Sequence, residues 1–131
     1  MTTLIKATLL TIALVITSVA AFAATPITIE GSFQGANCIF YNKTCPANMT
    51  DGHIAIEPDF VFVDKKGGYT FIPNLDRGLK IKYLHKNVKI TGNKTGDSIR
   101  AEVVEVKKHN QYKEVWTLAT QEAERERANR N

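Results

Sequence analysis

The chain has 131 residues, with 17 basic and 13 acidic side chains for a net charge of +4, and only two cysteines. That length allows one domain with one modest core. A charge this small is too weak by itself to imply a polyanionic partner.

Residues 1–23 have the layout of a secretory signal peptide. Met1 to Lys6 is a short start with one lysine, Leu9 to Val19 is an apolar run broken only by threonine and serine, and Ala21-Phe22-Ala23 is a small-x-small cleavage site. Cleavage is expected to leave a mature chain that starts at Ala24, with 108 residues and a net charge of +3. Its expected location is periplasmic or secreted, with membrane contact only through the leader. In that oxidising setting an even cysteine count is read as a disulfide between Cys38 and Cys45.

Beyond the leader the chain reads mostly as strands. Ile27 to Phe33 alternates apolar and polar residues, punctuated by Gly31 and Gly35 as in a strongly bent strand. Ala36 to Asp51, rich in Asn, Thr, Pro and Lys, reads as a loop held by the cysteine pair. A second strand region is expected over His53 to Val63, interrupted at Pro58-Asp59. It is followed by a tight turn at Asp64 to Gly68 and a partner strand over Tyr69 to Ile72. Leu79, Ile81 and Tyr83 alternate with lysines in a strand-like pattern, and Val88 to Thr91 is another short strand. Along Ile99 to Val106 the apolar phase slips between Val103 and Val104, which predicts a bulge. Tyr112 to Leu118 can form one more strand. Residues 119–131 are a charged extension of helix formers with almost no apolar stripe.

The residues able to carry chemistry are few. His53, His85 and His109 lie in three segments without metal-ligand spacing. No G-x-S-x-G is present, and Ser32 and Ser98 are the only serines beyond the leader. Glu57 and Asp59 flank Pro58, where a solvated turn is expected rather than a paired-carboxylate site. Gly67-Gly68 lacks the strand-to-helix context of a phosphate loop. No catalytic residue, metal ligand or cofactor is therefore assigned. The one charge feature above background is the basic segment Arg77, Lys80, Lys82, Lys86, Lys89 and Lys94, which has no acid after Asp76. On a strand, Lys80 and Lys82 would share one face; the six residues are read either as the polar side of an amphipathic strand or as a candidate polyanion-binding surface. Asn42, Asn48 and Asn93 open N-x-T sequons in expected loops.

The order Glu30-Gly31, Cys38-Ile39-Phe40, Cys45-Pro46, Lys66-Gly67-Gly68-Tyr69-Thr70-Phe71, Asn87 to Gly92 and Ala101 to Val106 resembles small exported bacterial OB-fold proteins over roughly residues 29–107. The resemblance implies an all-β fold, a small OB-like five-stranded barrel over 24–118, followed by the charged C-terminal helical tail. Those proteins carry a histidine and further cysteines in the loop where this chain has Asn42. The leading expectation is a non-enzymatic binding or accessory module with a protein partner, perched in an extracytoplasmic assembly. The alternative is a binder of anionic glycan or lipid through residues 77–94, with nucleic acid disfavoured by export. A metal or redox accessory role is a third class, implied by the resemblance alone.

Overall fold

The alternating residues of Ile27–Gly35 build the strand, β1, around which the other elements are ordered. A computed structural model describes residues 26–41, 45 and 51–130. The expected leader and the sequons at Asn42 and Asn48 lie outside the described residues. After β1 come two short helices, α1 (Ala36–Phe40) and α2 (Asp51–Ile56), and two strands, β2 (Phe60–Asp64) and β3 (Tyr69–Thr70). Helix α3 (Arg77–Lys82), strands β4 (Val88–Thr95), β5 (Ser98–Lys108) and β6 (Gln111–Thr117), and helix α4 (Leu118–Ala128) complete the chain order.

The protein is mostly β. Among the described residues, six strands form one antiparallel sheet in the order β3-β2-β1-β4-β5-β6. Strand β1 serves two neighbours: Gly31–Gly35 pairs with β2, and Ile27–Gly31 pairs with β4. Gly31 belongs to both ladders, and a Cβ there would lie 2.0 Å from the Val63 carbonyl oxygen. The glycine thus allows the close approach at which the strand passes from one partner to the other.

The apolar phase slip in β5 is a bulge, one residue earlier than the sequence suggests. Thr91 pairs with Val103 and Gly92 with Ala101, so Glu102 is the extra residue. Ile99 and Ala101 before it, and Val104 and Val106 after it, are all buried. The resemblance implies a five-stranded barrel, whereas the described strands form one six-stranded sheet that does not close through its strand ladders, with β6 as the added edge strand. It folds back on β5 through a two-residue turn in which His109 and Asn110 both have positive φ, 49° and 64°. That backbone matches the right-handed strand twist. At its other end β5 meets the far edge of the sheet. Phe71 forms a parallel bridge to Ser98, with N–H···O contacts of 2.8 Å to Asp97 and 2.9 Å from Ile99. The Asn74 amide extends this link by donating to the Ala101 carbonyl and accepting from its N–H, both at 2.8 Å.

Two strand expectations give way to helices. Over Leu79 to Tyr83 the side chain of Asp76 accepts the Leu79 N–H at 2.9 Å, which caps α3. Lys80 and Tyr83 then share a buried face at helical spacing. Six residues are too few for period 2 and period 3.6 to be told apart, and the cap decides. Upstream, residues 51–56 form α2, and only Phe60–Asp64 pairs in the sheet, because Pro58 has no N–H to give a ladder. The core joins Phe33, Phe62, Ile72, Leu75, Tyr83, Val88, Ile90, Ile99, Ala101, Val104 and Val106. Phe33 and Phe62 meet edge to face at 5.4 Å. The charged tail is helical as expected: Thr117 caps α4 by accepting the Thr120 N–H at 3.2 Å, and no α4 side chain is buried.

Candidate functional site

At the end of β1 the chain builds a corner around the cysteines. Cys38 on α1 is bonded to Cys45, with the Cα atoms 5.3 Å apart. The Gly35 N–H points at Cys45 Sγ, 3.3 Å away. Against this bridge lies Glu57. Its Oε2 accepts the Asn37 N–H at 2.8 Å, and its Oε1 is 3.6 Å from Cys38 Sγ. A bonded sulfur carries no proton, so the latter is a contact and not a hydrogen bond. Glu57 is only 6% exposed. A Cβ on Gly35 would lie 2.4 Å from its Oε1, so the glycine leaves the space that the carboxylate fills.

The solvated turn expected at Glu57 and Asp59 is therefore corrected. Ala36 N–H bonds the Asp59 carbonyl at 3.0 Å, which draws this segment against the start of α1. The two carboxylates enter different networks. Glu57 turns to the disulfide, while Asp59 holds Lys80 Nζ at 3.0 and 3.1 Å.

The six basic residues of 77–94 are not laid along one strand. Arg77, Lys80 and Lys82 stand on α3, Lys86 follows it, and Lys89 and Lys94 belong to β4. Lys80 is buried against Asp59. Arg77 donates to the Ile54 carbonyl at 2.6 Å and stacks over Phe60. Lys89 pairs with Glu105 at 2.7 Å and lies 4.7 Å from the centre of the Tyr112 ring. Lys82, Lys86 and Lys94 are exposed. The Asn93 sequon lies on β4, not in a loop, and the Asn93 amide donates to Glu102 at 2.7 Å.

Beside the disulfide, α1 and β3 bring aromatic rings together. Phe40 lies 5.5 Å from Tyr69 and 6.2 Å from Phe71, and Tyr69 is 5.9 Å from Phe71. Phe40, Tyr41 and Tyr69 are 49%, 72% and 43% exposed. Large apolar side chains clustered in water mark interaction surfaces more often than isolated ones do. The sequence carried half of this signal. Tyr69 and Phe71, two apart on a strand, had to share a face, but nothing in the spacing placed Phe40 beside them.

Two further features lie elsewhere. An open cavity of about 380 Å³ between β6 and α4 is lined by Trp116, Val115, Asp76, Glu114, Gln121 and Glu124, among others. From the β2–β3 turn, Lys65 hydrogen-bonds Glu30 of β1 and holds its carboxyl below the ordinary value, with a smaller contribution from Tyr112. Burial, and then the Glu30 charge, push the Tyr112 hydroxyl up. No family description, no curated protein and no solved structure matches this chain.

Proposed function

We propose that this chain is an exported, non-enzymatic binding or accessory module of OB-like topology that docks a protein partner. The observation that carries the reading is the ring cluster of exposed Phe40 and Tyr69 with half-buried Phe71, next to the exposed Tyr41. The order β3-β2-β1-β4-β5, the helix between β3 and β4, and the parallel link from Phe71 to Ser98 are consistent with a barrel of OB type. Such barrels bind on the face of strands 2 and 3 and on the loops that follow strands 1 and 4. The rings occupy the corresponding places: Phe40 and Tyr41 follow β1, Tyr69 and Phe71 stand on or next to β3, and Phe71 meets the β4–β5 turn at Asp97. Export is supported by the leader pattern of residues 1–23 and by the disulfide.

The polyanion alternative is weakened by the engagement of Lys80 and Lys89 with acids of the same chain. Affinity capture from the native envelope separates the two. With Phe40→Ser/Tyr69→Ser the specific partner is lost, and capture by the wild type persists in high salt. Retention by that variant, with steep loss in salt and on Lys82→Glu/Lys86→Glu, would give the alternative instead.

A further inference from the structure

The Cys38–Cys45 corner holds three metal-ligating groups where a structural bridge needs only two. Cys38 Sγ, Cys45 Sγ and a Glu57 carboxylate oxygen all lie within 4.8 Å of one another. Cys45 and Glu57 are buried and Cys38 is half-buried. The 3.6 Å between Cys38 Sγ and Glu57 Oε1 is close to the ~3.5 Å sulfur–oxygen edge of a tetrahedral zinc site, given bonds of about 2.3 and 2.0 Å. Among the described residues no cation lies within 4 Å of the Glu57 carboxylate. The surrounding backbone completes the picture. The Gly35 N–H is directed at Cys45 Sγ, as expected of a donor to a thiolate, and the Asn37 N–H holds the carboxylate's second oxygen.

We propose that this corner is a redox-gated site for a thiophilic divalent cation of the zinc class, with Cys38, Cys45 and Glu57 as its three protein ligands. Opening the site takes two electrons from a dithiol reductant. The Cys38–Cys45 bond breaks, both sulfurs become thiols, and the dithiol becomes a disulfide. Binding then exchanges the two thiol protons for one metal ion, giving two metal–thiolate bonds and one metal–carboxylate bond, with a fourth position left to water. A disulfide oxidant closes the site: it takes two electrons and two protons to become a dithiol, the Cys38–Cys45 bond re-forms and the metal ion is released, so metal and disulfide are mutually exclusive occupants of one corner. With the Cα atoms 5.3 Å apart, side-chain rotation suffices to set the sulfurs on one ion.

The test is a Co2+ titration of the purified chain after reduction with a phosphine, read by thiolate-to-cobalt absorbance and by near-ultraviolet circular dichroism. The expected result is one Co2+ per reduced chain and none in the oxidised protein. Glu57→Gln keeps an acceptor for the Asn37 N–H but loses the anionic ligand, and is expected to weaken binding by roughly tenfold or more. A reduced chain that loses its near-ultraviolet signal and regains it with Co2+ equally supports the site. The proposal is overturned if reduced protein takes up no more Co2+ than the Cys38→Ser/Cys45→Ser variant. It is overturned as well if Glu57→Gln binds as tightly as wild type, or if lost structure does not return with the ion. The readout uses no partner, so its failure is distinct from failure of the docking role.

Discussion

A methyl group at Gly31 would lie 2.0 Å from the Val63 carbonyl oxygen and 2.9 Å from the Asp64 Cα, all backbone atoms that cannot swing aside. Gly31→Ala is therefore expected to destabilise the fold by about 3 kcal/mol, because the β1–β2 ladder must open to admit it. Chemical denaturation measures this, and a loss near zero would show that β1 does not approach β2 as described. The Lys80–Asp59 pair is the second sensitive point, since the ammonium is buried and Asp59 is half-exposed. Asp59→Asn leaves the lysine without its counter-charge and should cost on the order of 1–3 kcal/mol, below the roughly 3–5 kcal/mol of fully buried pairs because water reaches Asp59. Lys80→Met, which removes the charge together with the need for a partner, should cost less. The bridge itself closes a short ring, and Cys38→Ala is expected to lose about 2–3 kcal/mol by chain entropy. At this scale the sequence was legible where chemistry is local. Two cysteines behind a leader-like segment point to each other, and Gly31 in a strand points to a bend. Glu57 was not legible, because a glutamate before proline looks the same whether water or a disulfide lies beyond it. Lys80 was not legible either, since its burial depends on Asp59, twenty-one residues away.

Among the elements, those with long periodic patterns were readable and the short ones were not. β1, β4 and β5 follow their alternation, and the slip in β5 did announce a bulge, at Glu102. α3 was misread because Leu79, Ile81 and Tyr83 fit a strand as well as a helix over six residues, and the Asp76 cap is the feature that discriminates. α4 was legible from composition: helix formers with no apolar stripe give a helix with no buried side chain. Truncation after Leu118 should lower stability by less than about 1 kcal/mol, since little apolar surface leaves with it. A large fall in melting temperature would show that α4 braces the loop at Pro73–Asp76, whose residues line a cavity with Leu118, Gln121, Glu122 and Arg125. The side-chain contacts of Glu30 on β1 make a pH prediction. The hydrogen bond from Lys65 holds the Glu30 carboxyl below 4.5, so its contribution is present above that pH and is lost as pH falls through the lowered value. Tyr112 is raised above 10.0, first by burial, so its contribution is present below 10.0 and is lost as pH rises beyond it. The stability difference between wild type and Glu30→Gln should thus be constant near neutrality and shrink below pH 4.5. A difference that grows on acidification would contradict the assigned partner.

Over the whole molecule, the sheet brings residues far apart in sequence onto one rim. β1 passes its two halves to β4 and β2, β5 receives Phe71 and Asn74 at one end and β6 at the other, and Phe40, Tyr69 and Phe71 gather at the β3 edge beside the disulfide. The β-rich class was readable from strand patterns and turns. The gathering of rings was not, because Phe40 reaches Tyr69 only through the connection between β1 and β2, whose path no local periodicity sets. The aromatic rim is the centre of the functional account, and site-specific photo-cross-linking in the native envelope tests it most directly. A photoreactive phenylalanine analogue at position 40 is compared with the same analogue at Lys113, an exposed position on β6. The account predicts one recurrent protein adduct from position 40 and none from position 113. Adducts of equal yield from both positions, or adducts from position 113 alone, would contradict it.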